Sequence, residues 1–185
     1  MPDNVLVKNG LESARKAPAW KKEGSRYKVK RMDVFNSRRD DYSPMFLSDD
    51  NSQFYFTSTR NEAQGSDMNG VTGTKSADIF FSEKDDKGKW SKPEAIGTGL
   101  NTDYEEGACC FTPDGKQMYL TQCTTDPTSP RLAQIVTSNR SDAAWSKPTN
   151  LEISKDTLSC FAHPAISPDG EWLYFVSDMP GGKGG

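Results

Sequence analysis

His163 is the only histidine among the 185 residues, and it sits in the run Phe161-Ala-His-Pro-Ala-Ile-Ser167. An imidazole beside a serine or thiol would be a general base for acyl transfer. No motif matches a serine or cysteine to it, so His163 is read as a hydrogen-bonded structural residue near a strand start. Ser167 opens Ser-Pro-Asp-Gly, a candidate reactive serine until Thr112-Pro-Asp-Gly115 and Ser48-Asp-Asp-Asn51 are set beside it. A nucleophile does not alternate with threonine or lose its neighbours from copy to copy. A turn does.

The other candidates weaken in the same way. Cys109, Cys110, Cys123 and Cys160 follow no Cys-x-x-Cys spacing, and adjacent cysteines on a strand point to opposite faces, so Cys109 and Cys110 cannot close on one metal. Buried free thiols are the preferred reading, while an oxidising compartment would allow a Cys123–Cys160 disulfide. Asp40-Asp41 and Glu105-Glu106 could hold a cation or a basic partner, but the equivalent third positions are Cys160 and Phe161. They are read as a solvated acidic rim. The closing Pro180-Gly-Gly-Lys-Gly-Gly185 lacks the Lys-[Ser/Thr] step of a phosphate loop and reads as a loop between strands. No catalytic, cofactor-binding or metal-binding residue is assigned, and no cofactor is expected.

What must position these residues is a repeat. Trp-Ser-Lys-Pro occurs at Trp90–Pro93 and Trp145–Pro148, and the Thr112 and Ser167 turns share the same 55-residue spacing. The first copy is displaced by 64, the excess lying in the insertion Asn61–Ser76. Each unit holds four strand-like runs: Ser43–Ser48, Gln53–Thr59, Ala77–Lys84 and Trp90–Gly97, then Gly107–Thr112, Gln117–Cys123, Ala133–Arg140 and Trp145–Glu152. A third unit supplies His163–Ser167 and Trp172–Asp178, and Arg26–Ser37 reads as the last strand of an earlier unit. Four antiparallel strands recurring at about 40 to 50 residues predict the blades of a β-propeller. The expected fold is therefore all-β: two complete blades and parts of two others. Tyr55, Tyr119 and Tyr174 fall at one position of the second strand, and Trp90 and Trp145 open the fourth; all five are read as packing between blades.

In Pro-Asp-Gly, proline presets φ for the first corner of a type I turn and glycine takes the left-handed position, with Asn51 standing in for it in the first copy. Closed propellers use about four to eight blades, so the 185 residues are expected to belong to a longer chain, with Ile166 and Phe175 left without a neighbour. Ahead of residue 27 a short helix is expected around Leu11–Lys16, followed by a linker.

Charge is nearly balanced, net −3 with 26% charged residues, and no basic stripe suggests nucleic acid. Nothing approaches the roughly 20 apolar residues of a membrane span. Met1–Asn4 shows neither the basic nor the apolar region of a signal peptide, and both ends look cut.

"FNSRRDDYSPMF", "LNTDYEEGACCFTPDG" and "FAHPAISPDGEWLYFVSDMPGGKGG" resemble the WD-like, TolB-type propeller repeats of Bacteroidetes cell-envelope proteins, over about Tyr27 to Gly185. The arrangement is most similar to the PorE-type, OmpA-family lipoproteins of type IX secretion. That resemblance implies residues 1–26 as a linker or the end of a helical-repeat region and 27–185 as part of a TolB-like propeller. It further implies a periplasmic, outer-membrane-associated scaffold that binds envelope proteins, with peptidoglycan bound only through a domain outside these residues. The family supplies no catalytic residues. The expected function is a non-enzymatic interaction module whose recognition falls to Asn61–Ser76, the acidic rim and the loop Thr124–Arg131. The competing reading is the propeller of a sialidase-like or prolyl-oligopeptidase-like hydrolase. Against it, the sialidase aspartate box is one residue longer than the turn here, and no hydrolase domain is encoded.

Overall fold

The computed structural model describes residues 4–65, 68, 72–97, 99–124, 132–142 and 144–182. They fall into two units, divided between Met32 and Asp33. The first holds a helix, α1 (Val5–Glu23), in the place of the short helix expected around Leu11–Lys16 and much longer than it. Its length follows from its ends. The Asn4 side chain accepts from the Leu6 and Val7 N–H groups at 2.9 and 3.4 Å, satisfying donors that have no partner inside the helix. Gly24, at φ 77°, donates to the Trp20 carbonyl at the other end. Lys21 and Lys22 complement the helix dipole in the last turn. No side chain of α1 is buried. No helix among the described residues is long and apolar enough to cross a membrane.

The run Arg26–Ser37, expected as a strand, forms none; Val29 is 95% exposed. An extended segment with no neighbouring strand has no ladder for its backbone groups.

From Asp33 onward the chain is all-β and antiparallel. β1 (Asp41–Phe46), β2 (Gln53–Ser58), β3 (Asp78–Glu83) and β4 (Glu94–Ala95) form one sheet in that order. β5 (Glu105–Phe111), β6 (Gln117–Cys123) and β7 (Ala133–Ser141) form the second, with β8 (Ala144–Trp145) and β9 (Thr149–Asn150) both pairing β7. β10 (Phe161–Ile166) and β11 (Leu173–Ser177) form the third. The fourth run of each unit is thus interrupted. Trp90 makes only an isolated bridge to Lys84, while Trp145 pairs Arg140, and regular pairing resumes after Pro93 and Pro148. Proline has no N–H for the ladder, so the strand breaks there.

The serine of Trp-Ser-Lys-Pro repairs the gap. Ser82 and Ser138, both fully buried, donate to the Ser91 and Ser146 carbonyls at 2.8 and 2.6 Å. The Ser91 and Ser146 hydroxyls accept from the Glu83 and Asn139 N–H groups in turn.

The predicted turns are present. Asn51, Gly115 and Gly170 have φ of 52°, 66° and 77°, and their N–H groups donate to the Ser48, Thr112 and Ser167 carbonyls at 3.1, 2.8 and 2.9 Å. The alternating Ser/Thr has a purpose: each hydroxyl donates to the aspartate two residues on, Asp50, Asp114 or Asp169. That aspartate also accepts a backbone N–H from Ser52, Lys116 or Glu171.

The main core lies between the first and second sheets. Tyr55, Ile79 and Leu100 meet Phe111, Met118, Leu120 and Trp145 there. A smaller cluster, Phe56, Phe80 and Ala63 with Phe35 and Phe54, covers the other face of the first sheet.

Candidate functional site

Each first strand carries a bulge at the same place. Ser43, Ala108 and His163 have φ of 51°, 48° and 54°, and the register shifts at each of them. Left-handed backbone in a non-glycine residue is held only when its surroundings over-determine it. At Ala108 and His163 the preceding sheet does so. The Ala108 N–H donates to Thr57 Oγ1 at 3.1 Å, and the His163 N–H donates to Thr121 Oγ1 at 2.8 Å. His163 is therefore anchored through its backbone and not through its ring, which is exposed.

Beside the bulges runs a belt of polar groups that corrects the expected acidic rim. One member of each pair, Asp40 or Glu105, is exposed; the other, Asp41 or Glu106, turns inward. Asp41 accepts from the Ser37 N–H at 2.6 Å, Ser58 Oγ at 2.7 Å and the Arg60 guanidinium at 2.6 Å. Arg60 is 7% exposed, donates also to the Phe35 carbonyl, and lies 4.9 Å from the ring centres of Phe56 and Phe80. Burial pushes the Asp41 carboxyl up, but Arg60, Ser37 and Ser58 together outweigh it and leave it below its ordinary value.

In the second unit the same position has only neutral partners. Glu106, fully buried, accepts from the Thr102 N–H at 2.9 Å, from Thr102 Oγ1 at 2.5 Å and from Gln122 at 2.9 Å. Burial dominates, and its pKa is raised. In the third unit Phe161 fills the place. A charge paired with arginine, a carboxyl held by neutral donors and a phenyl ring serve one packing position, which is how a structural site varies.

Asp78, at the start of β3, is the most perturbed carboxyl of the belt. Its Oδ2 accepts from the Gln64 N–H at 2.6 Å, and its Oδ1 is buried with no hydrogen-bond partner. Burial, with a further push from Glu106, raises its pKa to about 6.

The buried Cys109 and Cys110 thiols are inert. All four cysteines are free, and burial pushes Cys109 up to about 12 and Cys110 up to about 11, far from the thiolate needed for nucleophilic or metal chemistry. No group of three His, Cys, Asp or Glu among the described residues could hold a metal ion.

The ends of the three first strands meet in an open groove of about 620 Å³, lined by Met45, Phe46, Cys110, Phe111, Ala165 and Ile166 with the adjoining turns. It mixes apolar side chains with the polar turn residues Ser48, Asp49, Asn51, Thr112 and Ser167 and brings no acid–base pair together. Two expected recognition elements fall partly outside what is described: residues 66–67 and 69–71 of the Asn61–Ser76 insertion, and 125–131 of Thr124–Arg131. Residues 183–185 of the closing glycine-rich run also lie outside it. The described flanks of the insertion are built into the fold: Ala63 is buried, Gln64 bonds Asp78, and Lys75 donates to the Ala63 carbonyl at 2.8 Å.

Sequence reading missed Arg60, Asp78 and the Thr57/Thr121 pair. Only the threonines left a trace, as one hydroxyl residue repeated two places after Tyr55 and Tyr119. No protein-family model matches this chain, and no curated protein matches it.

Proposed function

We propose that this chain is a non-enzymatic interaction module, part of a TolB-like β-propeller with four-stranded blades. It would serve a periplasmic scaffold held at the outer membrane, of the kind used in type IX secretion. The observation that supports this reading is how completely the recurrent polar residues are absorbed by structure. The turn serines and aspartates close turns, the Trp-Ser-Lys-Pro serines tie strands, and the inward carboxyls cap the segments before the first strands. Recognition then falls to residues that do not repeat, carried on a rigid frame. These are the exposed Asp40 and Glu105, and the insertion between its anchored flanks.

The test is crosslinking in intact cells, comparing the native chain with one carrying Gly-Ser in place of residues 66–71 and Ser at Asp40 and Glu105. The expected result is an unchanged circular dichroism spectrum with crosslinks to outer-membrane-associated proteins lost. Undiminished crosslinks would remove these residues from the proposal. Hydrolysis of a sialoside or peptide by the native chain, abolished by His163→Ala, would replace it with the hydrolase reading.

A further inference from the structure

Between the first and second sheets, on the side of β4 and β8, lies a cavity of about 340 Å³. That is the small end of the range for ligand cavities, about 300–1,000 Å³. One wall comes from β2, β3 and the residues after β4, the other from β7 and β8. Three aromatic rings line it. Tyr55 stacks on Phe81 at 5.9 Å and 29°, and meets Trp145 nearly at right angles, at 6.3 Å and 86°.

The polar groups on this lining are donors short of acceptors. Arg140 is partly buried, and among the described residues its side chain donates to one group, the neutral Gln53 Oε1 at 3.1 Å. Its Nε is buried with no hydrogen-bond partner, and its guanidinium lies 5.9 Å from the Trp145 ring centre. Arg60, by contrast, is met by Asp41, Ser58 and the Phe35 carbonyl. The Tyr55 hydroxyl accepts from Trp145 Nε1 at 3.3 Å, and its own hydrogen has no acceptor among the described residues. On the second sheet the equivalent Tyr119 hydroxyl donates to Gln117 Oε1 at 2.8 Å. In the first sheet that glutamine oxygen is turned to Arg140 instead. A partly desolvated cation beside an unmet hydroxyl is costly until an acceptor arrives.

We propose that this cavity binds a small organic monocarboxylate, its oxygens accepting from Arg140 and the Tyr55 hydroxyl and its apolar body lying against Phe81, Ile96 and Trp145. A carboxylate fits because a guanidinium offers it parallel N–H donors, and because it brings acceptors only, which is what the lining lacks. The aromatic walls select a ring or a branched apolar group for the rest of the ligand. Glu83, exposed on the same lining, repels a second negative charge and so disfavours a phosphate or a dicarboxylate. The site is particular to this pair of sheets. Lys84 follows Glu83 where Arg140 follows Asn139, and Thr137 lies opposite Tyr119 where Phe81 lies opposite Tyr55, so neither the cation nor the aromatic wall is part of the repeat. The carboxylate can belong to a free small molecule or to the C-terminus of a peptide, since the same groups would receive either.

The test is an NMR titration of the full chain with phenylacetate, with its neutral analogue phenylacetamide, and with a short peptide ending in a phenylalanine carboxylate. The indole N–H signal of Trp145, identified by its absence from Trp145→Phe, should move with phenylacetate while those of Trp20, Trp90 and Trp172 stay in place. Phenylacetate should bind about ten- to a hundredfold tighter than the amide. Arg140→Gln keeps a polar group beside Gln53 and should lose that preference. A peptide that binds as tightly as phenylacetate upholds the site and assigns it a chain terminus; a peptide that does not bind upholds it as a small-molecule site. Should Arg140→Gln fail to fold, the native chain alone decides. Equal binding of acid and amide, no binding of phenylacetate at the highest concentration reached, or a shift that spares Trp145 would each overturn the proposal.

Discussion

Replacing Asp78 by asparagine isolates a single buried carboxyl and gives a result with a definite sign. Asp78 is fully buried, accepts one hydrogen bond from the Gln64 N–H, and has no partner for Oδ1. Burial is the main reason its pKa rises from 3.8 to about 6; Glu106 adds to the rise, and Gln64 and Lys75 oppose it. A carboxyl whose pKa is higher folded than unfolded binds more protons in the native state between those two values. Stability from this group is complete below about pH 4 and is lost as pH rises to about 6. At about 1.4 kcal/mol per pKa unit, the loss on going from 3.8 to about 6 is about 3 kcal/mol. Asparagine keeps an oxygen for Gln64 and does not ionise. Its NH₂ group, placed where Oδ1 has no partner, costs about 1–3 kcal/mol, but equally at every pH. The assay is urea unfolding of both proteins between about pH 3.5 and 7.5. The stability of Asp78→Asn relative to the native chain should climb by up to about 3 kcal/mol across that range, whatever its starting offset. Glu106 is present in both proteins, so most of its own titration cancels. A difference that stays flat with pH would show that Asp78 is not held in a desolvated site, and the reasoning would fail.

Three further perturbations read other parts of the scaffold. Thr57→Val keeps the side-chain shape but strands the Ala108 N–H, which sits on a left-handed residue; a loss of about 1–3 kcal/mol in denaturant midpoint is expected, against almost none if the bulge holds itself. Trp145→Ala empties the centre of the main core and should cost about 3–5 kcal/mol, while Trp145→Phe, which loses the bond to Tyr55 but keeps a ring, should cost clearly less; equal losses would mean the stack contributes little. Gly170 has φ 77° and a Cβ built there would lie 3.2 Å from Pro113 Cδ, so Gly170→Val should cost about 1–3 kcal/mol. Ser167→Ala, which removes the acceptor of the Trp172 N–H, should cost about 1 kcal/mol, and the reverse ranking would give the turn serine a role beyond the turn.

By itself the sequence determined the features whose causes are local. Pro-Asp-Gly makes a turn because proline and glycine restrict and release φ at adjacent residues. The runs containing Phe-Tyr-Phe, Met-Tyr-Leu and Leu-Tyr-Phe make strands because they are short, rich in aromatic and aliphatic residues and preceded by turn residues, and their repetition revealed three units before any were seen. The tertiary structure decided what depends on a neighbour. Nothing in Ser43, Ala108 and His163 marks them as one position, since they share no side-chain chemistry; two of the three are held left-handed by a threonine in the preceding sheet. Adjacent acids gave no sign of which would turn inward, because the choice between Asp40 and Asp41, or Glu105 and Glu106, follows from the register of the bulged strand against its partner. Arg60 lies just past the expected Gln53–Thr59 run, with nothing local to mark it, and is a buried cation because two phenyl rings and a carboxylate from three different segments converge on it. Local geometry is written in neighbouring residues along the chain, while burial and pairing are set by residues brought together only when the sheets pack.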